Sequence, residues 1–239
     1  MESVNSVGAF PLNAAVVLVH GAWADGSCWT NVIEPLKKAG LDVICAPIPL
    51  TSLTDDIAAL GRALERTSEP VVLSGHAYGG AVIQAASDER VKSLVYVAAL
   101  APDEGETVAN VFYRDEPHPD APKLAPDKHG YLWLTGDGFR KALAHWASPQ
   151  QVRVMTAIQR PISIHCIQQP AITPAWQSKP TWYLLAEEDR MINPKTQRFM
   201  AERMGAAIRT GRADHTPMYT EPQLVVDVIL EAARATLAR

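Results

Sequence analysis

The sequence predicts one α/β domain over residues 1–239, a mostly parallel central sheet flanked by helices with a helical cap inserted over 102–179. Three observations carry that expectation. Short apolar runs alternate with amphipathic stretches, as in strands joined by crossover helices. The alternation breaks after the fourth run and resumes near residue 181. A glycine-framed turn stands where the third strand would hand over to its helix. With 47% apolar and 20% charged residues, the chain can bury a sizeable core and is too poor in charge for long disordered tails.

Residues 14–20 (AAVVLVH) are apolar on both faces, which predicts a buried strand. Residues 29–38 put Trp29, Ile33 and Leu36 on one helical side, with Gly40 as the stop. A second strand follows over 41–46, with Cys45 as core filling. The 54–66 segment reads as a helix facing inward through Ile57, Leu60 and Leu64, capped by Ser52 or Thr54. Residues 70–74 form the third strand, 79–86 a helix of small residues, and 92–99 the fourth strand.

From 102 to 179 no clear buried strand appears, and the interval is too long for a simple loop. It begins with Pro117, Pro119, Pro122 and Pro126 and continues with helices over 138–146 and 150–159. The second opens on Ser148, Pro149 and Gln151, a capping box with proline in the first turn. Phe112, Tyr113, Trp133, Trp146 and Trp176 are expected mostly in the core of this cap, with a subset available as an apolar lid over a substrate, and His118, His129, His145 and His165 belong to it, as surface or core residues or, for one of them, as pocket lining. The α/β pattern then returns with the strand TWYLLA (181–186), a helix capped by Asn193, a short strand over 206–211 and a last helix over 222–237 directing Leu224, Val228 and Leu230 inward.

Several function classes are excluded. The net charge of −4 and the absence of any Lys/Arg run argue against a nucleic-acid partner. No apolar stretch reaches membrane-spanning length, and the opening MESVNSVGAFPLN has no secretion-signal pattern, so the expected location is cytoplasmic. Three irregularly spaced cysteines (Cys28, Cys45, Cys166) form neither a disulfide framework nor a zinc set. No metal or cofactor is expected, since GHAYGG lacks the glycine spacing of a dinucleotide loop. The expected partner is a small-molecule substrate.

Parallel sheets place ligand sites at the carboxyl ends of their strands, which directs attention to three turns. Gly75-His76-Ala77-Tyr78-Gly79-Gly80 has the glycine frame of a nucleophile elbow without its serine; alone, it is equally the frame of a tight packing turn. His76 is expected to pack beside it, and Ser74 to lie inside the strand. His20-Gly21-Ala22-Trp23 can aim a backbone N–H, from Ala22 or Trp23, at a developing oxyanion, with the Tyr78 N–H as second donor. Asp189 and His215 each follow a strand, in the order elbow, acid, histidine, and a carboxylate so placed can hold an imidazole's tautomer; Thr216 reads as a turn residue.

VVLVHGAW, VVLSGHAYGG, SLVYVAALAPDEGE and LLAEEDRMI together resemble the α/β-hydrolase superfamily over nearly the whole chain. More narrowly they resemble the small bacterial esterases related to plant methylesterases and hydroxynitrile lyases. The resemblance implies the α/β-hydrolase fold, a nucleophile position at Ala77, an acid at Asp189, a base at His215 and oxyanion donors at Ala22 and Tyr78. Some members place the acid after the preceding core strand, where Asp103 stands as the alternative. The departure is Ala77, because a methyl group cannot attack a carbonyl. Three readings follow: an esterase for a small, mainly apolar ester whose nucleophile has been replaced, a natural enzyme using Asp189–His215 as a general base (a lyase, an oxygenase or a water-activating hydrolase), and a ligand-binding module without turnover.

Overall fold

The computed structural model describes residue 10 and residues 14–68 and 70–237. The opening segment, read above for a targeting signal, lies almost wholly outside the described residues. Six parallel strands form the sheet: β1 (Ala15–Val19), β2 (Asp42–Ala46), β3 (Val71–His76), β4 (Val91–Val97), and, after a long interval, Thr181–Ala186 and Ala207–Gly211. Between β4 and the fifth of these strands stand α4 (Val108–Phe112), β5 (Tyr131–Leu132), α5 (Gly136–Gly138) with a π-helical continuation over Phe139–Leu143, α6 (Pro149–Ile158), β6 (Ile162–Ser163) and α7 (Ile164–Gln168). Thr181–Ala186 is therefore β7 and Ala207–Gly211 is β8, and the sheet order is β2-β1-β3-β4-β7-β8. The crossovers are α1 (Thr30–Lys38), α2 (Leu53–Leu64), α3 (Gly79–Ile83) and α8 (Pro194–Arg203), followed by α9 (Pro217–Thr220) and α10 (Pro222–Leu237). Among the described residues no helix is long and apolar enough to cross a membrane.

Strand alternation divides the core into two layers. Val16, Leu18, Val72, Val95 and Leu184 pack with Trp29, Leu36 and the buried face of α10. Val17, Val19, Leu73, Tyr96 and Tyr183 pack with α2, α3 and the interval between β4 and β7. Expected caps recur at atomic detail: Ser52 Oγ accepts the Asp55 N–H, Asn193 Oδ1 accepts the Lys195 N–H, and Ser148 and Gln151 form the reciprocal box at α6.

Some expectations are corrected. α10 buries Val225, Val228, Ile229 and Ala232, while Leu224 and Leu230 sit at its margins. Cys45 is half-buried because β2 is an edge strand. The interval between β4 and β7 is not helical throughout: β5 and β6 pair antiparallel. Two of its aromatics, Tyr113 and Trp133, are exposed rather than packed in a core, Tyr113 at a cleft that Phe112 also lines.

Candidate active site

The turn after β3 is held in a strained shape. Ala77 has φ of +49°, a left-handed conformation that residues with a Cβ adopt at a cost of order 1–3 kcal/mol. The surroundings enforce it: Ala77 N–H donates to Val97 O, and Ala77 O accepts from the Gly80 and Leu100 N–H groups. The glycines are needed for close approach. A Cβ on Gly75 would stand 2.6 Å from Gly79 O, and one on Gly79 would stand 2.6 Å from Val19 O. Gly21 is under the same constraint, since its Cβ would lie 2.8 Å from that of Ala77, so the loop after β1 presses directly on the turn. Ser74 is fully buried within β3.

The Ala22 and Tyr78 N–H groups, the two expected donors, have no intramolecular acceptor among the described residues. Ala22, Ala77 and Tyr78 line one cleft together with His215. Trp23, also at positive φ, turns its indole N–H to Leu132 O and so ties the loop to β5.

Opposite stands a buried acid–base pair. Asp189 Oδ2 accepts the His215 Nδ1–H at 2.7 Å, with both side chains almost wholly excluded from solvent. That bond assigns the imidazole hydrogen to Nδ1 and leaves Nε2 as the basic nitrogen. The carboxylate is itself fixed, since Oδ1 accepts the Met191 and Ile192 N–H groups and Oδ2 also accepts from Gln197 Nε2. Asp103, the alternative acid, instead accepts from the Glu104 N–H and Gln177 Nε2 and makes no bond to His215. Thr216, as expected, serves the turn by bonding Asp214.

Sequence reasoning missed three supports. Gln197 gives no signal, being one polar residue on a polar helix. Asp56 did leave one: an acid on the same stripe of α2 as Leu53, Leu60 and Ala63. His76 is more than packing. Its Nε2–H donates to His215 O at 2.7 Å, and the two rings lie 4.8 Å apart.

Burial and the nearby His215 hold His76 far below the ordinary imidazole range, and burial lowers His20 to about 4. An unfolded imidazole titrates near pH 6.5. Below that pH the unfolded chain takes up protons that the folded chain refuses, so stability falls with acidification and is flat above it. Asp56, raised by burial, opposes this as pH falls through its raised range. His20 alone is expected to remove roughly 3 kcal/mol between pH 6.5 and 4. Melting temperatures measured from pH 7.5 to 4.5 should fall along that limb, and less steeply for His20→Asn. An unchanged slope in that variant refutes the assignment.

The cleft walls are apolar. Leu100, Phe112, Leu132, Ile162 and Met191 contribute, and among the described residues His215 is the one ionisable side chain besides the tyrosines that lines it. Among the described residues no group of three or more His, Cys, Asp or Glu could hold a metal ion.

A family model described as the Alpha/beta hydrolase family matches residues 16–228. The chain is 26% identical over 246 residues to the alpha/beta hydrolase nvfD of Aspergillus novofumigatus (strain IBT 16806), covering 93% of this chain and 97% of that one. It is 26% identical over 249 residues to methylesterase 2 of Arabidopsis thaliana, covering 91% and 95%. Among solved structures, a pyrethroid hydrolase from Sphingobium faniae JZ-2 matches with a TM-score of 0.79 at 22% identity, covering 93% of this chain and 98% of that one; this likeness is one of fold.

Proposed function

Because the chain belongs to the alpha/beta hydrolase family, we propose that it is an esterase-type hydrolase for a small, mainly apolar carboxylic ester, with covalent turnover stopped at Ala77. One observation carries this reading: the strained turn at Ala77, two free N–H donors and the Asp189–His215 pair converge on one cleft with only the nucleophilic oxygen missing. In a complete site, His215 Nε2 would take the serine proton, Asp189 would stabilise the imidazolium, and the Ala22 and Tyr78 N–H groups would receive the oxyanion. Restoring serine and measuring ester hydrolysis tests the proposal.

The cleft supports the substrate class. Its polar side chains are largely committed elsewhere, Trp23 to Leu132 and Tyr78 to Asp56. A charge held away from the Ala22 and Tyr78 N–H groups and His215 would lose its water shell against apolar walls without a partner. A neutral aryl methyl ester is therefore expected to bind the present chain at least about tenfold more tightly than the same ester carrying a further carboxylate on its ring, with the ester recovered intact. Titration calorimetry with recovery of the ligand checks this. Tighter binding of the ring-carboxylated ester would refute the assigned class.

A second reading is favoured by the intactness of the acid–base pair in a chain without a nucleophile: Asp189–His215 as a general base toward water or a carbon acid. It requires turnover by the present chain that His215→Ala abolishes, and an unchanged rate in that variant sinks it.

A further inference from the structure

Asp56 is a fully buried carboxylate with no cationic partner among the described residues. Its Oδ1 accepts the Leu50 N–H at 2.7 Å. Its Oδ2 accepts the Tyr78 hydroxyl at 2.7 Å and the Cys166 thiol at 3.5 Å. The three donors come from three parts of the chain: the loop before α2, the turn that carries Ala77, and α7 in the interval between β4 and β7. Leu50 is itself strained at φ of +62°, and its carbonyl accepts the Ser163 N–H of β6. One carboxylate thus ties the strained turn, a second strained residue and the roof of the cleft.

Stability alone is a weak reason for this group. An uncompensated buried charge is costly, and burial raises the Asp56 carboxyl above its ordinary range. Apolar residues of similar volume commonly replace such groups without loss. Geometry offers a better reason. The Tyr78 ring is a rigid lever running from its hydroxyl back to the backbone of a cleft-lining residue whose N–H has no acceptor among the described residues, and pinning its far end restrains the peptide at its near end.

We infer that Asp56 is a positioning residue for the oxyanion pocket, holding the Tyr78 N–H in place through the Tyr78 hydroxyl and coupling that setting to the roof of the cleft through Leu50 and Cys166. What the N–H does there rests on the ester-hydrolase reading; where it is held does not.

The test separates the two. In the present chain, Tyr78→Phe and Asp56→Asn are each expected to speed hydrogen exchange of the residue 78 amide by about tenfold or more, measured by NMR, while the β3 and β4 amides keep their protection. In the Ala77→Ser chain the same substitutions should lower kcat by about 10- to 100-fold and leave KM within about threefold, the double variant being no worse than the more damaging single. Unchanged exchange at residue 78, or equal loss of protection throughout β3, overturns the inference. Faster exchange at residue 78 with kcat intact overturns its catalytic part. If Ala77→Ser is inactive while exchange at residue 78 responds as expected, the ester-hydrolase reading fails and the clamp stands.

Discussion

Ala77→Ser is expected to raise hydrolysis of short-chain p-nitrophenyl esters by at least about 10⁴-fold over the present chain. The expectation rests on what the site already holds. The main structural obstacle to a nucleophile at this position is its backbone, and Ala77 already sits at φ of +49° with three backbone bonds enforcing it. Serine adds one oxygen to that geometry. The basic nitrogen it needs belongs to an imidazole fixed by Asp189, on the same cleft. The two N–H donors are free, so little reorganisation accompanies formation of the oxyanion. Nucleophile loss in serine hydrolases of this type of mechanism costs on the order of 10⁶-fold in kcat, so a gain of about 10⁴ allows for an imperfect match between these esters and the cleft. A serine variant no faster than the present chain would remove acyl transfer from consideration, and the general-base reading would replace it.

The succession of strands along the chain and the turn at Ala77 were legible because each has a short-range signature, and Asp189 and His215 because each follows a strand in the order the resemblance implies. Runs apolar on both faces mark strands covered on both sides, and a glycine frame marks a turn where backbones touch. The helix caps were legible for the same reason, a few residues acting on their own neighbours. What stayed hidden depends on how elements pack against one another and turn in space. Gln197 reaches Asp189 only because α8 packs behind β7. Tyr113 and Trp133 look like core by composition, yet both are exposed, Tyr113 lining the cleft and Trp133 bonding Asp127. The two-residue pairing of β5 with β6 is too short to leave a period-2 pattern. Asp56 shows the boundary case: its place on an apolar stripe was visible, but its partners in the elbow and in α7 were not.

The choice between the two acids gives the second large effect. In the Ala77→Ser chain, Asp189→Asn is expected to lower kcat by about 10³- to 10⁴-fold, against no more than about twofold for Asp103→Asn. The asymmetry follows from the donors around each group. Oδ1 of Asp189 faces two backbone N–H groups, Met191 and Ile192, which can only be met by an oxygen. An asparagine there must therefore turn its NH₂ toward His215 and Gln197. His215 would then have to accept at Nδ1 and carry its hydrogen on Nε2, the nitrogen that must take the serine proton. Gln197 cannot yield, because its oxygen receives the Ala186 N–H and its amide also donates to Ile192 O. Asp103 has no such leverage; it serves a turn with Glu104 and touches neither His215 nor the cleft. Single-turnover acylation rates report the difference directly, and the loss of the low-field Nδ1–H proton resonance reports the tautomer. Retained acylation in Asp189→Asn together with its loss in Asp103→Asn would reverse the assignment, and with it the claim that the buried pair is the working end of this site.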